Sequence, residues 1–159
     1  METLIRTMKG ADPETAEIAA RIWKEGGLVA FPTETVYGLG GNGLDADASR
    51  KIYAAKARPS DNPLILHIAD EEQLKELTPE ITPMMRAAID AFWPGPLTMI
   101  VPKTRIIPYE TTGGLETVAI RMPSHPAAQC LLRTVQLPIA APSANRSGRP
   151  SPTNASHVI

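Results

Sequence analysis

Lys56-Ala-Arg58-Pro59-Ser-Asp-Asn62-Pro63-Leu64 sets two cations two residues apart where a helical pattern closes and a proline-punctuated loop begins. Either cation alone is accounted for as a complement to a helix macrodipole. Together they allow a second reading. Pro59 and Pro63 stiffen the loop, fixing Arg58 and Asn62 at the mouth of the next strand, and a fixed guanidinium beside an amide suits phosphate positioning. A later cluster, Ala140-Ala-Pro142-Ser143-Ala-Asn145-Arg-Ser147-Gly148-Arg149-Pro-Ser151, offers hydroxyls, an amide, a glycine and two arginines with no acid. That composition suits an oxyanion-binding loop, or equally a surface loop with turn chemistry. Between these segments, Val118-Ala-Ile-Arg121-Met-Pro is an apolar strand with one charge, and a buried charge needs a partner. No carboxylate is close in sequence, so a ligand carboxylate is expected on Arg121. His67, inside another apolar run, reads more readily as a hydrogen-bonded packing residue than as a catalyst.

Other chemistries are poorly served. Gly38-Leu-Gly40-Gly-Asn-Gly43 matches G-x-G-x-x-G, but Asp45 and Asp47 introduce the following helix and would repel a pyrophosphate there. The glycines are therefore expected to form a flexible turn. No Walker-type G-x-x-x-x-G-K-[ST] occurs. His67, His125 and His157 lack zinc-ligand spacing, Ser143 has no neighbouring histidine, and the single Cys130 excludes an internal disulfide.

The elements that must position these residues alternate between helix and strand. Asp12-Pro13-Glu14 starts a helix that Gly26-Gly27 stops, with Ile18, Ile22 and Trp23 on its apolar face. Leu28–Phe31 reads as a buried strand ending at Pro32. Asp47 is expected to cap a helix through about Ala57, and Leu64–Ile68 is a second strand. Asp70 to Gln73 has capping-box spacing, and Thr82-Pro83 opens a helix that ends before Pro94-Gly95-Pro96. Strands follow at Leu97–Val101 and Thr117–Met122, then a helix over Pro126–Val135, then the strand Pro138–Ala141. A helix is expected to begin at Thr153, so that the chain stops short of a continuation.

Composition agrees with a soluble α/β domain. The 159 residues are 43% hydrophobic and 21% charged, ordinary globular values. The sixteen prolines are about twice the usual share; several close strands, leaving the next backbone free to line a site. No apolar run approaches the ~18 residues of a membrane span, and no signal core is visible, which points to a cytoplasmic setting. Net charge is −1, yet no acid follows Glu116, and Arg121, Arg133, Arg146 and Arg149 make the later part basic.

Phe31-Pro-Thr-Glu-Thr-Val-Tyr-Gly-Leu39, Lys56–Leu64, Trp93-Pro-Gly-Pro-Leu-Thr98 and Pro142-Ser-Ala-Asn-Arg-Ser-Gly148 occur in this order. Together they resemble the threonylcarbamoyl-AMP synthase family, over roughly Glu14 to Ser156. The resemblance implies a single twisted mixed sheet flanked by helices, with a concave, positively charged ligand face. It also implies that L-threonine, bicarbonate and ATP, with Mg2+, give threonylcarbamoyl-adenylate and pyrophosphate. The product would feed threonylcarbamoylation of adenosine 37 in tRNA by a downstream transferase complex. By resemblance, Thr35, His67, Arg121 and the Ala141 backbone hold threonine. Lys56, Arg58, Asn62, Thr117, Ser143, Asn145 and Ser151 line the ATP side, with Lys56 and Arg58 offsetting phosphate charge in catalysis. No protein side chain is assigned to a metal. Family members continue past Ile159, so weak nucleotide binding is expected of this length of chain. Two alternatives remain. One is an RNA-binding module of the same fold contacting tRNA or double-stranded RNA, against which the net charge and few aromatics weigh. The other is a carbamoyl-transfer domain of the hydrogenase-maturation kind.

Overall fold

A computed structural model describes residues 2–159. Helix α1 (Pro13–Lys24) begins where Asp12 accepts from the Thr15 amide at 3.2 Å, with proline in the first turn. Strands β1 (Val29–Phe31) and β2 (Gly38–Asn42) form a hairpin. Helix α2 (Ala46–Lys56) is capped by Asp45, not Asp47, because the Asp45 carboxylate reaches the Asp47 amide at 2.9 Å. Strand β3 (Ile65–His67) leads to α3 (Glu71–Leu77), where Asp70 and Gln73 form the expected capping box. Then come α4 (Pro83–Phe92), β4 (Thr98–Pro102), the short α5 (Tyr109–Thr112), β5 (Thr117–Arg121), α6 (Pro126–Val135) and β6 (Ile139–Ala140). The helix expected from Thr153 is a single 3-10 turn, Ala155–His157, capped by Asn154.

The strands make one mixed sheet in the order β1-β2-β6-β3-β5-β4, in which only β3 and β5 run parallel. Two expectations fail here. The glycine-rich segment 38–42 is an interior strand instead of a flexible turn. A Cβ on Gly40 would come within 2.7 Å of Ile139 and 2.8 Å of Phe31, so glycine admits two large side chains against the strand's backbone. The run before Pro32 is an edge strand, with Ala30 exposed and only Phe31 fully buried.

One sheet face packs on α2, α3 and α4 through Ile52, Leu66, Leu74, Ile89, Val118 and Ile120. On the other face α1 and α6 bury Trp23, Phe31, Leu132 and Ile139. Ala16, Ala19 and Ala20 of α1 are buried with Ala128 of α6, while Ile18 and Ile22 are only half-buried. Small side chains let the two helices approach closely, which is why alanine takes the central stripe expected for isoleucine.

That second face is only half covered. Residues paired across strands share a face, so Ile65, Ala119 and Ile100 align on it, as do His67, Arg121 and Thr98. The helices cover this face over β1, β2 and β6, whereas Ile65 and Ala119 are half-buried and Ile100 is 74% exposed. His67 and Arg121 sit at the boundary.

Candidate functional site

At that boundary lies a cavity of about 350 Å3 lined by Thr33, Thr35, Val36, Gly38, Arg58, Pro63, Ile65, His67, Arg121, Ala141, Pro142 and Ser143. Three of the quoted motifs line it, and the fourth supports it. The β1–β2 loop is shaped by Thr33, whose hydroxyl donates to the Val36 carbonyl at 2.7 Å and accepts from the Thr35 amide at 3.2 Å. This turn presents Thr35, whose hydroxyl accepts from an Arg121 terminal nitrogen at 3.2 Å.

Arg121 is 8% exposed and held from three sides. Its Nε donates to the Gly95 carbonyl at 3.2 Å. A Cβ on Gly95 would lie 2.6 Å from the Phe92 carbonyl, so only glycine lets the Trp93–Thr98 turn fold tightly enough to aim that oxygen. The third partner is Glu34, which forms an ion pair with Arg121. No carboxylate is close to Arg121 in sequence, and the fold brings the remote Glu34 beside it. Its other oxygen accepts from the Ser124 amide and hydroxyl.

Arg58 follows a left-handed C-cap at Ala57 (φ 50°). Its guanidinium donates to the Asn62 carbonyl at 3.1 Å and the Pro63 carbonyl at 2.9 Å. The loop thus fixes Arg58 through backbone oxygens, leaving the Asn62 side chain exposed and off the cavity wall. Burial lowers the pKa of both Arg58 and Arg121, and the Tyr53 hydroxyl group acts in the opposite sense at Arg58. Arginine stays charged at neutral pH regardless.

His67 is different. Burial drives its pKa down to about 4, against the raising effect of backbone oxygens on Ile65 and Ile139. At neutral pH it is an uncharged imidazole. Its Nδ1 lies 3.1 Å from the Ile65 carbonyl, so the proton belongs on Nδ1 and Nε2 is an acceptor.

Lys56, expected to meet ligand charge, is buried beneath the Pro142–Ser151 loop and donates to the carbonyls of Ser143 and Asn145. Burial first, and Arg58 second, lower its pKa to about 8. The loop is further tied down by Ser147 to Lys56 (3.0 Å), Ala144 to Tyr37 (2.8 Å) and Leu39 to Pro142 (3.0 Å) backbone bonds. Lys56 therefore holds the ligand-facing loop instead of lining the cavity.

Of the other expected residues, Thr35, Arg58, His67, Arg121, Ala141 and Ser143 share the cavity wall, while Asn62, Thr117, Asn145 and Ser151 do not. Thr117 starts β5 on the Arg121 face, about 13 Å along the strand. Asn145 turns its amide to the Arg146 and Arg149 carbonyls, both at 2.8 Å, and Ser151 is exposed. The sequence gives no separate sign of Thr33, Val36 and Ile65, which also line the cavity and lie in or beside the motifs, while Pro63 lines it as the expected loop stiffener. Among the described residues no group of three His, Cys, Asp or Glu could hold a metal; the cavity wall itself carries no carboxylate, and Glu34 stands behind it, paired with the lining Arg121 and bonded to Ser124. The cavity's donors suit anions.

The mixed α/β sheet gathers two arginines, a neutral histidine and hydroxyls around one cavity on its half-open face. The chain belongs to the Sua5/YciO/YrdC family, described as telomere recombination, whose pattern matches residues 21–159. It is 52% identical over 158 residues to a threonylcarbamoyl-AMP synthase of Pyrococcus abyssi, covering 99% of this chain and 46% of that protein. It is 57% identical over 148 residues to one of Bacillus subtilis, covering 92% of this chain and 42% of that protein. The crystal structure of P. abyssi Sua5 complexed with L-threonine superposes with a TM-score of 0.90 at 55% identity, over 92% of this chain and 43% of the other. The chain thus spans about half the length of these relatives. No helix among the described residues is long and apolar enough to cross a membrane.

Proposed function

We propose that this domain forms L-threonylcarbamoyladenylate and pyrophosphate from L-threonine, bicarbonate and ATP, in a cytoplasmic setting. A tRNA threonylcarbamoyl transferase complex would then consume the product at adenosine 37. The observation that carries this reading is the buried Arg121, fixed by Gly95 and Thr35 at the cavity wall, in a chain so similar to one solved with L-threonine.

Arg121 would take the threonine carboxylate, with Thr35 and the Nε2 acceptor of His67 available to the ligand's hydroxyl and amine. The Ala141 backbone closes the same wall. Arg58 and Ser143, on the cavity side of the proline-stiffened loops, would receive phosphate oxygens. The neutral threonine amine bonds to the carbon supplied by bicarbonate, and the amine proton leaves with the bicarbonate hydroxide as water, giving a carbamate. A carbamate oxygen attacks the α-phosphorus, and the bond to pyrophosphate breaks. No side-chain nucleophile is required, so catalysis rests on positioning and charge neutralisation. Magnesium would arrive on the nucleotide phosphates, since the cavity wall supplies no carboxylate for it.

Isothermal titration of L-threonine and ATP, singly and together, tests this on the wild type and Arg121→Ala. Loss of a buried charged partner costs about 2–5 kcal/mol, so threonine affinity should fall at least about thirty-fold. Undiminished threonine binding by Arg121→Ala would sink the assignment.

A further inference from the structure

The Glu34–Arg121 pair places opposite charges side by side at the rim of an anion-suited cavity. Glu34 does not depend on Arg121 to hold its position, because Ser124 donates to its second oxygen through both backbone and side chain. Arg121 is likewise anchored by Gly95 through Nε and by Thr35 through a terminal nitrogen. A guanidinium has five N–H donors; Nη2, on the Glu34 side, is buried, so the donor left for a ligand at the cavity wall is the second N–H of Nη1, beside Thr35. A simple carboxylate arriving at that fork would meet the negative charge of Glu34 at close range. An α-amino acid would not, since its ammonium group sits one carbon from its carboxylate and carries the compensating charge.

We propose that Glu34 receives the α-ammonium group of the incoming amino acid while Arg121 takes its carboxylate, so that the pair selects a zwitterion over a plain carboxylate anion. This rests on the reading of the cavity as an amino-acid site and adds a specificity-determining residue to it. The pair is neutral overall, so it offers a bare anion little net attraction, and two fixed charges of opposite sign set the direction in which the amino acid lies.

The test is calorimetric titration of wild type, Glu34→Gln and Ser124→Ala with two ligands, L-threonine and its deaminated analogue 2,3-dihydroxybutanoate. Wild type should prefer threonine. Glu34→Gln should lose at least about ten-fold in threonine affinity while its affinity for the analogue stays level or rises, which narrows the preference. Ser124→Ala, which removes one of the two bonds that hold Glu34 and leaves its charge and the backbone bond in place, should move the preference in the same direction by less. Tighter binding of both ligands by Glu34→Gln would overturn the proposal, because Glu34 would then be a competitor that ligands displace. Equal weakening of both would also overturn it, by reducing Glu34 to a prop for Arg121. Wild type that binds neither ligand would remove the amino-acid site itself, whereas threonine binding with an unchanged preference in Glu34→Gln removes only the role of Glu34.

Discussion

His67 couples the site to the stability of the fold, and the coupling has a definite sign. Its ring stands edge-on to Phe31, with centroids 6.0 Å apart, and is buried at the cavity wall. Burial holds its pKa at about 4 in the folded chain against an ordinary 6.5. As pH falls below 6.5 the unfolded chain takes up a proton that the folded chain refuses, so stability is complete above 6.5 and is lost on the way down to about 4. At about 1.4 kcal/mol per pH unit, the gap between 6.5 and about 4 amounts to about 3 kcal/mol. Urea denaturation of the wild type and of His67→Gln at several pH values from 7.5 to 4 measures it. Subtracting one profile from the other removes the carboxylate contributions common to both. Wild type should lose about 3 kcal/mol more than the variant. Parallel profiles would refute the argument, since they would mean that the imidazole takes its proton equally well in both states. The same neutrality implies that threonine affinity shows no inflection near pH 6.5.

Lys56→Met keeps much of the side-chain volume but removes the donors to Ser143 and Asn145, and should cost about 2 kcal/mol. Hydrogen exchange at the Ala144 and Ser147 amides should quicken, and ATP affinity should fall more than threonine affinity. Gly40→Ala should destabilise by about 1–3 kcal/mol, as Ile139 and Phe31 are forced off the strand, read as a drop in denaturation midpoint.

Much of the framework was legible because it is local. Asp12, Asp70 and Thr82 announce helices through side chains that accept from an amide three residues on, and Pro126 through its fixed φ in the first turn; all four helices start as expected. The apolar runs around Leu66, Met99 and Ile120 likewise read as strands, because a short continuous apolar run with proline at or near its end carries the signal. The 38–42 strand was illegible, since glycine has little strand preference and the reason for it lies in Phe31 and Ile139, brought together by the sheet. Asp45 displaced Asp47 as a cap by a choice that two neighbouring acids leave open in sequence. The short α5 has no long periodic pattern to betray it.

The site divides in the same way. By itself the sequence determined which segments bear the chemistry: a hairpin loop, a stiff cationic loop, a proline-glycine turn and a serine-rich loop, each encoded within about ten residues. Their mutual placement was decided only by tertiary structure. The order β1-β2-β6-β3-β5-β4 brings Glu34 to Arg121, and Lys56 under Ser143 and Asn145. Charge and hydrogen-bonding capacity are written at single positions. Whether a charge meets a ligand, a carbonyl or another charge depends on strands that pair across most of the chain.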